Sequence, residues 1–317
     1  MRIGILIGTA DGQAVSMPDL VVQARQAEAD GFAAGWFANI FGMDALTAAA
    51  VCGQTTSRLE LGTAVVPTYP RHPYAMAQQA LSTQAAAGGR LLLGIGPSHQ
   101  PVVEAMWGLS FARPVGVMRE YLEVLLPLLE RGQVAFQGET YRVAADLKVP
   151  GATPCPVLLG GLGPRMLALA GTMCAGTVTA WVGPRTLAEH VVPSIREAAA
   201  AARRPAPRIA AMVSLGITAD VAGTRERVAR GSRMYAALPS YRAMLDREGV
   251  AGPADVVVLG DEDAVAAQIR HLGEIGVTDL IAVPVPGLPD RSETLARTRA
   301  VLVQLAHEEP RTSPAEG

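Results

Sequence analysis

The chain has 317 residues, of which 50% are hydrophobic and 18% charged, with mean hydropathy +0.25 and a net charge of −2. That apolar content offsets the entropy of ordering and excludes intrinsic disorder for most of the chain. The charge balance implies no basic face, which excludes nucleic acid as an expected partner. Lys148 is the only lysine and sits in a turn-like Asp-Leu-Lys-Val-Pro stretch, so Schiff-base chemistry, which needs a desolvated lysine, is not expected. Cys52, Cys155 and Cys174 are widely spaced, with no CxxC and no histidine pair at helical spacing. Neither a disulfide framework nor a metal site is expected from that pattern. The apolar run at the N-terminus is too short for a signal peptide, and no stretch reaches the roughly 18 apolar residues of a membrane span. The expectation is a cytoplasmic enzyme with a small-molecule substrate and no membrane partner.

Residues 2–8 are almost continuously apolar before Gly-Thr-Ala-Asp, which predicts a strand buried on both faces. Residues 18–30 carry Leu20, Val21, Ala24 and Ala27 at helical spacing, with Ser16 as N-cap and Gly31 at C′. Residues 32–38 read as a strand, 44–53 as an alanine-rich helix, and 59–66 as a third strand halted by Pro67, Pro70 and Pro73. A helix over 74–87 ends at Gly88-Gly89, and 91–96 is a fourth strand. The alternation resumes with strand 157–159, helix 165–173, strand 177–180, helix 186–202, strand 208–217, helix 263–275, strand 279–283 and helix 292–305. The polar segment 308–317 reads as a frayed tail.

Strand–helix alternation means a parallel sheet with helices outside it, and eight units favour a closed (β/α)8 TIM-like barrel over 1–307. Two stretches break the rhythm, 98–146 after strand four and 224–254 after strand seven. Connections this long are usually lids or binding loops.

In such a barrel the reacting groups lie at the C-terminal strand ends. Gly160, Gly161 and Gly163 carry strand five into a helix that opens with Pro164 and Arg165. Free N–H groups at that helix start would hold an anion such as phosphate, with Arg165 adding a fork. Spacing alone leaves an ordinary glycine-rich turn equally open. Gly94 and Gly96 suggest a second close approach, and His99 follows as a candidate proton donor or ring-contacting hydrogen bonder. His72, in a rigid turn, is a candidate of the same kind. His190, His271 and His307 fall in predicted helices and are expected on solvated faces. Met234, Tyr235, Leu238 and Tyr241 share one apolar helix face. Plain packing explains that face, but with Phe41, Tyr69 and Trp107 it could also wall an apolar substrate pocket.

These segments together resemble the luciferase-like monooxygenase family, and within it the actinobacterial branch that uses the deazaflavin F420. The resemblance rests on the stretches 41–48, 60–73, 89–96, 163–166 and 238–245. It implies a flavin-type ring across the strand ends and a non-prolyl cis peptide at Ala64–Val65 supporting it. It also implies cofactor contacts from Asn39, Gly94, Gly96, His99 and Ala180, with the phosphate end on Gly160, Gly161, Leu162, Gly163, Pro164 and Arg165. Many F420 members carry Asp-His after strand two, where this chain has Asn39-Ile40. Ile40 cannot transfer a proton, which counts against sugar-phosphate dehydrogenation. Asn39 can orient the ring but is no acid or base at pH 7. The implied activity is F420-dependent hydride transfer to or from a small, largely apolar substrate, with His99 as proton donor and substrate contacts from Phe41, Tyr69, Trp107 and Tyr241. An FMN-dependent monooxygenase using oxygen is the alternative, and a non-catalytic flavin- or F420-binding protein the third. A homodimer or higher homo-oligomer is expected.

Overall fold

The structure is a computed structural model that describes residues 1–9, 15–39 and 41–308. Eight parallel strands close on themselves: Arg2–Ile7, Ala34–Phe37, Glu60–Thr63, Leu91–Gly96, Val157–Gly160, Gly176–Ala180, Arg208–Ile217 and Asp279–Pro284. The last strand pairs with the first, Asp279 opposite Arg2, and completes the TIM-like barrel. Almost every residue of these strands is buried, as their unbroken apolar runs require.

The helices start where their caps dictate. Ser16 Oγ accepts from the Asp19 N–H at the head of Met17–Ala29, and Asp44 Oδ1 accepts from the Thr47 N–H ahead of Ala45–Gly53. The helix Pro73–Ala86 is capped by His72, whose Nδ1 accepts from the Tyr74 N–H while its ring packs edge-on against Tyr141. His72 is therefore a structural cap and lines no cleft of the site, contrary to the expectation for it.

Strand three is not the single run 59–66. It breaks after Thr63 at the cis Ala64–Val65 peptide and resumes as Val66–Pro67, paired with Ile95 and Gly96 of strand four. The predicted helix 186–202 consists of Pro184–Thr186, a π-turn over Leu187–Val191, and Val192–Ala201.

The first insertion holds a π-turn at Val102–Met106, a helix Pro114–Arg131 and an antiparallel hairpin of Gln133–Gln137 with Arg142–Asp146. The second holds the helices Val221–Gly231, Arg233–Ala236 and Pro239–Glu248. A short strand, Val258–Gly260, then pairs beside the upper end of strand seven, Val258 opposite Leu215.

The barrel lumen is packed by Trp36, Leu92, Leu158, Val178 and Ile281, with Ala64, Val65 and Met212 above them. Its base carries a charge network. Arg208 donates to both Asp279 (3.1 and 2.5 Å) and Glu60 (3.1 and 2.8 Å), and Arg2 pairs with Glu60 at 3.0 Å. The bottom is thereby sealed, and access is confined to the C-terminal ends of the strands.

Candidate functional site

Two adjoining clefts, about 180 and 670 Å³, open over those ends. They share Ala64, Val65, Ser98, His99, Ala180, Met212, Met234 and Tyr241, and so form one trough across the barrel mouth. The smaller arm is walled by Asn39, Phe41, Trp107, Trp181 and Tyr235, and the larger runs out to Gly160, Gly161, Leu162 and Gly163. Among the described residues, no Asp, Glu, Lys or Arg lines either arm.

The floor comes from the break in strand three. Thr63 Oγ1 donates to the Gly94 carbonyl at 2.8 Å and accepts the Gly94 N–H at 2.9 Å, so the two strands interlock below the bulge. A Cβ on Gly94 would lie 1.9 Å from the Thr63 carbonyl oxygen. Gly94 is thus required by strand packing and lines neither arm. Gly96 borders the larger arm beside Val65.

One wall is aromatic. His99 lies 5.4 Å from Tyr241 between ring centroids, Tyr241 lies 5.6 Å from Tyr235, and Tyr235 lies 5.5 Å from Trp181. Burial lowers the His99 pKa below the ordinary histidine value and raises the phenols of Tyr235 and Tyr241. The imidazole is therefore neutral at pH 7 and both phenols keep their protons. Ser98 and Trp181, at the ends of strands four and six, have φ of 62° and 57°. Non-glycine residues held there cost about 1–3 kcal/mol each and concentrate at functional sites.

Asn39 borders the smaller arm, but its Oδ1 accepts the Ala45 N–H at 3.0 Å, which leaves the Nδ2 end for a ligand. Ile40 lies outside the described residues. Tyr69 does not reach the trough. It stacks behind Phe111, ring centroids 5.3 Å apart, and Phe111 supplies the surface there. Burial, then the nearby Tyr141 and Glu104, push the Tyr69 phenol up to about 12.

The glycine loop divides into two roles. A Cβ on Gly161 would sit 2.6 Å from Met166 Cβ, so this glycine is needed for the loop to close on its own helix. A Cβ on Gly163 would meet nothing within 4 Å. Gly163 is the N-cap of Pro164–Met173 with no side-chain cap; Pro164 has no N–H and the Met166 N–H bonds to the Gly163 carbonyl at 3.0 Å, so in that first turn the Arg165 N–H is the donor left for a ligand. Pro164 and Arg165 are exposed at the helix start and line neither arm.

His190 was expected on a solvated face. It is buried instead, and its Nε2–H donates to the Leu162 carbonyl at 3.0 Å. The residues that sequence reasoning passed over are Ser98, Trp181 and Met212. Trp181 carried a usable signal, being a large aromatic directly after a predicted strand.

Comparison with known proteins agrees with this architecture. The structure of the F420-dependent tetrahydromethanopterin reductase from Methanopyrus kandleri superposes with a TM-score of 0.77, covering 97% of each chain at 22% identity. A Mycobacterium tuberculosis protein provisionally named a coenzyme F420-dependent oxidoreductase is 32% identical over 200 residues, 58% of this chain and 57% of its own length. The 5,10-methylenetetrahydromethanopterin reductase of Methanolobus tindarius is 26% identical over 288 residues, 82% of this chain and 88% of that one. The model of the luciferase-like monooxygenases matches residues 1–279, and the chain belongs to that family.

Proposed function

We propose that this protein is an F420-dependent oxidoreductase that moves a hydride between C5 of the deazaflavin and a small, largely apolar organic substrate. One observation carries the reading: a trough over the strand ends, free of charged side chains among the described residues, that runs into an uncapped glycine loop. The name of the Mycobacterium relative supports F420 as the cofactor.

The residues present fit such a cofactor. Ala64, Val65 and Met212 offer a flat apolar floor for a ring, and Asn39 Nδ2 is free to donate to its edge. The loop from Gly160 to Gly163, with the Arg165 N–H of the following turn, suits a phosphate, and Gly163 leaves room for its approach. When bound, the deazaflavin supplies or takes a hydride at C5. His99 holds or moves the accompanying proton. Its neutral ring accepts one from a substrate hydroxyl above its lowered pKa, and its cationic ring returns one below it. Phe41, Trp107, Trp181, Tyr235 and Tyr241 shape a wall that excludes water and favours an uncharged substrate. An unpaired ion buried there would cost several kcal/mol.

The test is anaerobic turnover with reduced F420 against neutral enones and ketones, and with oxidised F420 against secondary alcohols. Sugar phosphates are the anionic controls. Turnover of neutral compounds only is the expected outcome. Incorporation of labelled oxygen into product with reduced FMN, and no reaction with F420, would replace this reading with a monooxygenase. Tight F420 binding with no turnover of any class would leave a binding protein.

A further inference from the structure

The histidine beneath the glycine loop has a specific job. The helix that carries it is interrupted by a π-turn in which the Val192 N–H bonds to the Leu187 carbonyl, five residues back. π-turns insert an extra residue and swing side chains out of the regular helical frame, and they are frequent at functional sites. Here the displaced residue is His190, buried beneath the loop with a 3.0 Å bond to the Leu162 carbonyl. Leu162 stands between Gly161 and Gly163, so fixing its carbonyl fixes the plane of the peptide that continues into Gly163.

The segment is anchored at its other end too. The Glu248 carboxylate accepts the N–H groups of Arg185 (3.1 Å) and Thr186 (2.7 Å), and Thr186 Oγ1 donates to the Met244 carbonyl (3.2 Å). Glu248 and Met244 belong to Pro239–Glu248, the helix that places Tyr241 in the trough. Residues 184–191 thus tie the aromatic wall to the glycine loop.

We propose that His190 is a positioning residue that presets the Leu162–Gly163 peptide so that the Gly163 N–H and the Arg165 N–H of the following turn converge on the cofactor phosphate. This rests on the cofactor reading above. A glycine-rich loop has many accessible backbone states, and one buried bond that selects among them lowers the entropy lost on binding. His190 touches no reacting atom, so its loss should act on affinity rather than on the chemical step.

The variants are His190→Leu, which cannot donate, and His190→Gln, whose amide can reach the same carbonyl. Affinity for F420 is read by fluorescence titration, kcat and KM separately by turnover, and loop order by hydrogen exchange at the amides of residues 161–163. His190→Leu is expected to bind about tenfold more weakly, the value of one lost hydrogen bond, with kcat within about twofold and faster exchange at those amides. His190→Gln should recover most of the affinity and the protection. Unchanged affinity and exchange in His190→Leu, or a folded His190→Gln no better than His190→Leu, would overturn the proposal. If the wild-type protein binds neither F420 nor FMN, the cofactor reading falls. The exchange data then decide the positioning claim by themselves.

Discussion

Gly161 and Gly163, on either side of Leu162 in one loop, give a discriminating test, because the structure assigns them opposite constraints. Gly163 has φ −74° and ψ 153°, an ordinary extended conformation, and its added Cβ meets nothing within 4 Å. Gly163→Ala should therefore be close to neutral in stability, the roughly 0.4–1 kcal/mol gained from the unfolded chain being offset by the poorer N-cap that alanine makes. Its methyl group would enter the space where the phosphate has to approach. Losing one or two charge-assisted hydrogen bonds, each worth about 1.5–3 kcal/mol, predicts at least a tenfold loss in affinity. Gly161→Ala behaves differently. Its Cβ would lie 2.6 Å from Met166 Cβ, part of the loop's own helix, so the backbone has to shift. Overpacking of this kind costs about 1–3 kcal/mol, or roughly 2 °C in Tm per kcal/mol in a chain of this size. Differential scanning fluorimetry and F420 titration on both variants separate the effects. A Gly163→Ala protein that binds F420 like the wild type would refute the placement of the phosphate on this loop.

His99 gives a pH prediction whose sign follows from burial. Its pKa is lowered, so alcohol oxidation assisted by the neutral ring should rise with pH to a plateau, with its midpoint below that of an ordinary histidine. Reduction assisted by the cationic ring should fall over the same range, and His99→Ala should remove both inflections. Arg208→Ala should cost about 3–5 kcal/mol in urea unfolding, because it strips the buried Asp279 of its main partner, while F420 affinity in the folded fraction stays unchanged. Trp107→Ala should raise KM several-fold for bulky neutral substrates with little change in Tm. Equal KM values across the substrate panel would remove Trp107 from the wall.

The barrel was legible because its strands are continuous apolar runs and its helices carry recognisable caps, such as Ser16 and Asp44, with Gly31 (φ 85°) at a helix end. The departures have local causes. Residues 59–66 look like one strand because the bulge at Ala64–Val65 changes hydrogen bonding without changing hydrophobicity. A place in a predicted helix does not reveal that His190 is buried, because the π-turn at Leu187–Val191 departs from the regular helical frame. The hairpin 133–146 and the strand Val258–Gly260 are too short or too polar to show a clear period. Of the residues that line the trough, His99, Ala64, Val65, Ala180 and Tyr241 are legible in the sequence from their places at strand ends, the resemblance or helical spacing. That Tyr69 stacks behind Phe111 instead of lining the trough is not legible from its proximity in sequence to a strand end. Spacing also cannot tell Gly161 from Gly163, since one is constrained by Met166 and the other by nothing within reach.

The most direct test of the account is a side-by-side titration of the purified protein with F420 and with FMN, followed by ring fluorescence and repeated on Gly163→Ala. The account predicts saturable micromolar binding of F420 in the wild type, at least tenfold weaker binding in the variant, and weaker binding of FMN than of F420. Micromolar FMN binding without F420 binding would contradict it.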